Sequence, residues 1–323
     1  LIDEEFKSLF LIINGSILIA TLIFIVFKLI DPKTIYENII CLILIFNPTT
    51  LLLFERLNFD LVIFLSLVLI VFLKKNYILK TIIKFLVFSF KYYPLIFIIN
   101  FFIEDKLILK KKVFYSSVLI FSSIILIFLN LEDFQRVVAD FESVGRNIRY
   151  SFSLNAFTRL IDHLDLINKD ITKLILSVTL IIFSIVIYVL FNKEIKIPLE
   201  YNAIIKLFFI SSNLLLILYF FFNNNYFREV FFIGVIPYLL ITSNKGCLLS
   251  KICFLSIIFK YILMILFWPK VMFADLDIDL FAQMILGFKI VLDYITIGLL
   301  TAYMLRLDML VFKRTFNITI NSD

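Results

Sequence analysis

Glycine, proline, cysteine and histidine are all scarce in this chain of 323 residues, which holds six, six, three and one of them respectively. Charge is scarce too: 17% of residues are charged and 62% are hydrophobic, where a soluble domain is about a quarter charged and about half apolar. With a mean hydropathy of +1.06, a water-soluble globular protein is excluded. The sole histidine, His163, has no second His or Cys nearby to complete a zinc set, so no metal site is expected. Cys41, Cys247 and Cys253 lie in or beside apolar runs without Cys-x-x-Cys spacing and read as buried thiols. No Gly-rich loop follows a strand, which excludes a soluble nucleotide-binding domain. No internal repeat is evident, which weighs against an inverted-repeat transporter. Scarce glycine and alanine leave close helix packing to serine.

What is present is apolar sequence enough for about ten spans of about 20 residues each. Runs read as helices at 8–28, 36–54, 59–73, 113–130, 171–191, 204–222, 226–243, 250–268 and 281–305, with a further apolar stretch at 81–103. The expected fold is all-α: a single polytopic membrane domain over 1–323, with the lipid bilayer as its first partner. The net charge of +6 comes from lysines in short clusters between the runs. They form no continuous basic stripe, so no nucleic-acid partner is expected and the clusters act as topology signals.

Basic residues favour the cytoplasmic side of short loops. Placing Lys110, Lys111 and Lys112 inside makes the rest alternate. The long loop 131–170 falls outside, Lys193 and Lys196 inside, Asn223–Asn225 outside, Lys245 and Lys251 inside, 269–280 outside, and Lys313 and Arg314 inside. Lys74, Lys75 and Lys80 also require the inside, although 81–103 separates them from Lys110. That stretch is therefore expected to enter and return on one side. It should break at Lys91-Tyr92-Tyr93-Pro94, where proline lacks an N–H and biases Tyr93 towards extended backbone. The result is nine transmembrane helices plus one broken, re-entrant segment, with the N-terminus outside and the C-terminus cytoplasmic.

Several charges stand where a membrane protein keeps few, and ionisable groups at membrane depth usually face a polar cavity. Glu55-Arg56-Leu57-Asn58-Phe59-Asp60 interrupts two apolar runs. It reads either as a site, Arg56 taking an anion while Asn58 and Asp60 hydrogen-bond a polyol or orient the arginine, or as a charged inter-helix turn with Asp60 favoured by the helix dipole. Lys91 faces a cavity or snorkels to the interface. Tyr92 stacks on a ligand or anchors at the interface. Arg228 receives an anionic head group or anchors its helix. Arg146 and Arg149 in the long loop could take a phosphate or be solvated loop charges. Lys84, Lys260 and Lys289 lie inside apolar runs, and the sequence does not choose between pairing with acids and snorkelling.

Arg56-Leu57-Asn58-Phe59-Asp60, followed after a basic loop by Lys91-Tyr92-Tyr93-Pro94, resembles an R-G-N-x-D/E element and a later K-x-Y-P element. Both belong to glycosyltransferase family 87 and the related glycosylphosphatidylinositol mannosyltransferases. Tyr226-Phe227-Arg228, opening a helix that reaches Pro237, is similar to a Y-R element of the same proteins, and Tyr150-Ser151-Phe152-Ser153-Leu154-Asn155 to an S-F-G-x-N stretch. The chain departs from these patterns at Leu57 and Ser153, where glycine is usual, and at Phe227.

The resemblance implies a GT-C membrane glycosyltransferase. It would move a hexose or pentose from a polyprenyl-phosphate donor to an envelope glycan or glycolipid acceptor on the external face of a bacterial inner (plasma) membrane, without a cofactor. Arg56, Asn58, Asp60, Lys91, Tyr92 and Arg228 would then bind the donor phosphate or sugar, with Arg146 and Arg149 as further candidates. Arginine would pair bidentately with the phosphate and lysine would supply a point charge. Such enzymes carry their catalytic carboxylate in an external loop near the N-terminus. The chain opens on Leu1 without a signal-peptide pattern, so it is expected to be a fragment lacking upstream helices and that loop, with Asp60 the fallback catalytic candidate. The rival readings are a lipid-linked-sugar transporter or flippase, and a polysaccharide polymerase or ligase.

Overall fold

The computed structural model describes residues 4–55, 59–73, 76–91, 93–104, 107–132, 135, 152–163, 169–191, 202–221, 226–273 and 280–315. Among the described residues the secondary structure is helical, with no strand. The first half contains α1 (Glu4–Ile30), α2 (Ile35–Phe46), α3 (Pro48–Glu55), α4 (Phe59–Phe72), α5 (Tyr77–Phe90), a 3-10 segment at Tyr93–Ile98, α6 (Ile99–Phe102) and α7 (Leu109–Leu129). The second half contains α8 (Leu154–His163), α9 (Lys169–Phe191), α10 (Ala203–Phe221), a 3-10 segment at Tyr226–Phe231, α11 (Phe232–Asn244), α12 (Leu248–Phe273) and α13 (Leu280–Thr315).

Among the described residues seven helical stretches are long and apolar enough to cross a bilayer: Ile13–Ile30, Ile35–Leu52, Leu109–Leu129, Ile171–Phe191, Ala203–Phe220, Leu248–Phe267 and Phe281–Lys313. The chain is a multi-pass integral membrane protein. Two of the nine expected spans take shorter forms. The 59–73 run becomes the 14-residue α4, about 21 Å long against about 30 Å of hydrocarbon. The 226–243 run divides into a six-residue 3-10 segment and the 13-residue α11. The steeper rise of the 3-10 segment brings that pair to about 31 Å.

Helix boundaries follow local chemistry. Asp31, at φ 47°, ends α1 in the left-handed region, and Pro32 prevents continuation. Thr34 then opens α2 through a reciprocal capping box with Glu37. Buried Asn47 separates α2 from α3. Its amide donates to the Leu44 carbonyl at 2.7 Å and to Thr50 Oγ1 at 2.9 Å, and Pro48 occupies the first position of α3, where its missing N–H costs nothing. Gly246, at φ 88°, turns α11 into α12, with the Cys247 N–H reaching back to the Thr242 carbonyl at 3.1 Å.

The core gathers around α10, whose span is 61% buried, whereas the spans of α1 and α9 are 17% buried and present mainly to lipid. α10 packs on α11, α13, α4 and the 93–98 segment. Against α11 the approach is close: a β-carbon on Gly234 would collide with Ser211 Oγ and lie 3.1 Å from Leu207 Cγ. Serine and glycine meet there, as scarce small residues require.

The 77–104 stretch is a hairpin. Lys80, near the start of α5, ion-pairs with Glu104 beyond α6 at 2.5 Å. A straight helix would hold residues 24 positions apart about 36 Å from each other, so the chain reverses between them. The reversal falls where Pro94 predicts it: α5 stops at Phe90, Lys91 is extended at φ −153° and ψ 144°, and the tighter 3-10 segment follows.

Candidate functional site

The hairpin tip places Lys91 beside the start of α4. Lys91 Nζ lies 2.7 Å from Asp60 Oδ2, with the Asp60 side chain fully buried and that of Lys91 24% exposed. Both groups stand where helix dipoles favour them. Asp60 is in the first turn of α4, near the positive pole, and Lys91 is the C-cap of α5, at the negative pole. Phe59 stacks on Phe90 with ring centroids 5.1 Å apart, holding the two antiparallel helix ends together. Arg228, buried in the 226–231 segment, is close enough for its charge to act on Lys91, and the segment packs on both α3 and α4.

Three of the residues singled out from the sequence therefore share one neighbourhood, Lys91 in contact with Asp60 and Arg228 within electrostatic range of Lys91, although they come from α4, the hairpin tip and the 226–231 segment. Among the described residues that makes two cations to one carboxylate, and with Lys91 still partly open the group can receive an anion. Arg56, Asn58, Tyr92, Arg146 and Arg149 lie outside the described residues. Asp60 is committed to Lys91 by the ion pair, which suits orientation of that lysine better than proton abstraction.

Immediately beneath Arg228 lies a cluster that the sequence reading named only by half. Glu229 receives Lys260 from α12 at 2.7 Å and faces Lys289 from α13 at 3.5 Å. Asp293, also on α13, receives Lys260 at 2.9 Å and Lys289 at 2.5 Å. All four side chains are at most 3% exposed. Two cations and two carboxylates close into a neutral ring, so each desolvated charge has opposite neighbours. Lys260 also lies over the Phe232 ring at 4.4 Å and near Phe152 at 5.5 Å, which adds cation–π attraction. Phe152 belongs to the 150–155 stretch noted in the sequence and packs edge-on to Tyr219. Lys260 and Lys289 thus pair with acids rather than snorkel. The spacing of Lys289 and Asp293, four residues apart on one helix, was the available signal.

A second charged group closes the base of the hairpin. Glu104 accepts from Lys80 at 2.5 Å and from Lys206 of α10 at 2.7 Å. Burial alone would raise the Glu104 pKa, but hydrogen bonding and the charges of Lys206 and Lys80 hold it below the usual carboxylate range. On the outer flank, α1 and α4 enclose an apolar groove of about 560 Å³, lined by Leu18, Phe24, Ile25, Val62, Leu65 and Leu69, with Lys28 also lining it. Its walls are hydrocarbon apart from Thr21, Ser66 and that lysine.

No protein-family model, no curated protein and no solved structure matches this chain.

Proposed function

We propose that the chain is a membrane glycosyltransferase of the GT-C type. It takes a sugar from a polyprenyl-phosphate donor and passes it to an envelope glycan or glycolipid on the external face of a bacterial inner membrane. The observation that carries the reading is the 2.7 Å Asp60–Lys91 pair with Arg228 within electrostatic range of it. In transfer from such a donor, the bond between the anomeric carbon and the phosphate oxygen breaks as the acceptor oxygen bonds to that carbon. The charge left on the departing phosphate needs preorganised cations. Lys91 and Arg228 supply them, Asp60 orients Lys91, and the acceptor proton goes to a general base elsewhere. The α1–α4 groove suits a chain of isoprene units, being almost wholly apolar and open on one side to lipid.

The test is transfer of labelled sugar from a polyprenyl-phosphate donor by membranes carrying the full-length protein. Lys91→Met and Arg228→Met should each lower turnover about tenfold or more, the worth of one charged hydrogen bond. Undiminished transfer would remove both residues from the site. Movement of the lipid-linked sugar across the bilayer without glycosidic-bond formation would replace the enzyme by a flippase.

A further inference from the structure

At the base of the hairpin three helices begin together, and each carries a lysine as its fourth residue. Lys80 is the fourth residue of α5, Lys112 of α7 and Lys206 of α10. The three meet around one short connection: Lys80 and Lys206 both bind Glu104, and Lys112 Nζ donates to the Phe102 carbonyl at 2.7 Å. Tyr77 of α5 and Phe101 of α6 pack against Tyr115 of α7, with ring centroids 6.0 and 5.7 Å apart. A helix N-terminus is already the positive end of its dipole, where a cation is disfavoured and an anion is held by free N–H groups. Asn76 and Asn202 cap the first turns of α5 and α10, and among the described residues the lysines of those two helices converge on one carboxylate, Glu104.

A fourth lysine adds a donor that no described residue uses. Lys84, one helical turn beyond Lys80, is fully buried and lies within reach of the charges of Lys80 and Glu104. Its Nζ finds no hydrogen-bond acceptor among the described residues and rests 3.2 Å from the centroid of the Phe101 ring. A ring face attracts a cation but accepts none of its three N–H bonds in the way an oxygen anion does. The lowered pKa of the buried Glu104 carboxyl reports the same positive surroundings. Lys206 keeps 14% of its side chain exposed, so the group is reachable from the rim of the bundle, where the helices start.

We infer that the junction of α5, α7 and α10 is a binding site for a phosphate group, with Lys80 and Lys206 as its cations, Lys84 as the buried nitrogen that donates to it, and Glu104 as the internal counter-charge that the ligand displaces. Basic pockets between membrane helices at the bilayer surface take the phosphate of anionic phospholipids, and a free phosphate ion has the same chemistry. The site lies at the opposite end of the hairpin from Lys91, and the inference does not depend on the glycosyltransferase reading.

The test is association of spin-labelled phosphatidylglycerol and phosphatidylcholine with the full-length protein in vesicles of phosphatidylcholine. The wild type should favour phosphatidylglycerol. Lys206→Met and Lys84→Met should each reduce that preference about fivefold, the share of one lysine near an anionic surface. Glu104→Gln should raise it by a similar factor, a gain that misfolding does not produce. Lys33→Met, at a lysine 73% exposed on the α1–α2 turn, should leave it unchanged. Inorganic phosphate that displaces the labelled lipid and raises thermal stability in phosphatidylcholine vesicles would identify a soluble phosphate as the occupant. Equal association of the two lipids with no effect of phosphate would overturn the inference, as would a preference untouched by all three substitutions at the junction.

Discussion

Asp293→Asn is the most informative single change to the neutral ring of Glu229, Lys260, Lys289 and Asp293. The substitution is isosteric, so packing is kept and one charge is lost. Asp293 faces Lys260 at 2.9 Å and Lys289 at 2.5 Å, attractions of about 6 kcal/mol each at an effective dielectric of about 20. The dehydration of the buried groups offsets most of that. The net loss is that of stranding one buried cation, about 3–5 kcal/mol. Two lysines then share Glu229. Pairing the change with Lys289→Met restores neutrality, leaving the 2.7 Å Lys260–Glu229 contact. The double variant should therefore be more stable than Asp293→Asn alone, with a coupling of about 2 kcal/mol or more. Equilibrium unfolding in mixed dodecylmaltoside–SDS micelles, followed by far-ultraviolet circular dichroism, reads both numbers. A loss below about 1 kcal/mol for the single variant, or strict additivity in the double, would refute the charge-balance argument.

Acidification should loosen the base of the hairpin. Because the folded pKa of Glu104 is lowered, the stabilisation it supplies is whole above its unfolded value of about 4.3 and is lost as pH falls through the folded one. Unfolding midpoints measured on either side of this window should converge for wild type and Glu104→Gln at the acid end. At the α10–α11 contact, Gly234→Ala should cost about 1–3 kcal/mol by overpacking against Ser211 and Leu207. Combining it with Ser211→Gly should cost less than the sum of the two changes in the same micelle titration.

The apolar runs carried much of the architecture. The run read at 171–191 is the candidate span Ile171–Phe191, and that read at 204–222 is α10, Ala203–Phe221. The break at Lys91–Pro94 was equally legible, because a missing N–H acts locally. The last helix was read ten residues short, ending at 305 rather than at Thr315. The helix continues past the polar Arg306 and Asp308, where Asp308 finds Asn213 of α10 at 3.4 Å. The same blindness applied to the candidate site. Asp60 and Lys91 could each be singled out as costly charges, yet their contact joins residues 31 apart, and side-chain periodicity says nothing about which helix ends meet. Glu229 looks like an ordinary charge at a helix margin until α12 and α13 supply Lys260 and Lys289, whereas Asp293, in the middle of its run and four residues after Lys289, carried a signal in its spacing.

The ring also bears on how the chain enters the bilayer during synthesis. A lone Lys or Asp at the centre of a span opposes insertion by about 2.5–3.5 kcal/mol, and the segments emerge one after another. Glu229 emerges first and waits 31 residues for Lys260, at which point the two make a neutral pair. Lys289 and Asp293 arrive together, four residues apart on one helix, already neutral as a unit. The order of charges along the chain means that α12 and α13 each leave the ring at zero net charge as they insert, and within the ring Glu229 is the one that has to be sheltered while its partner is still being made.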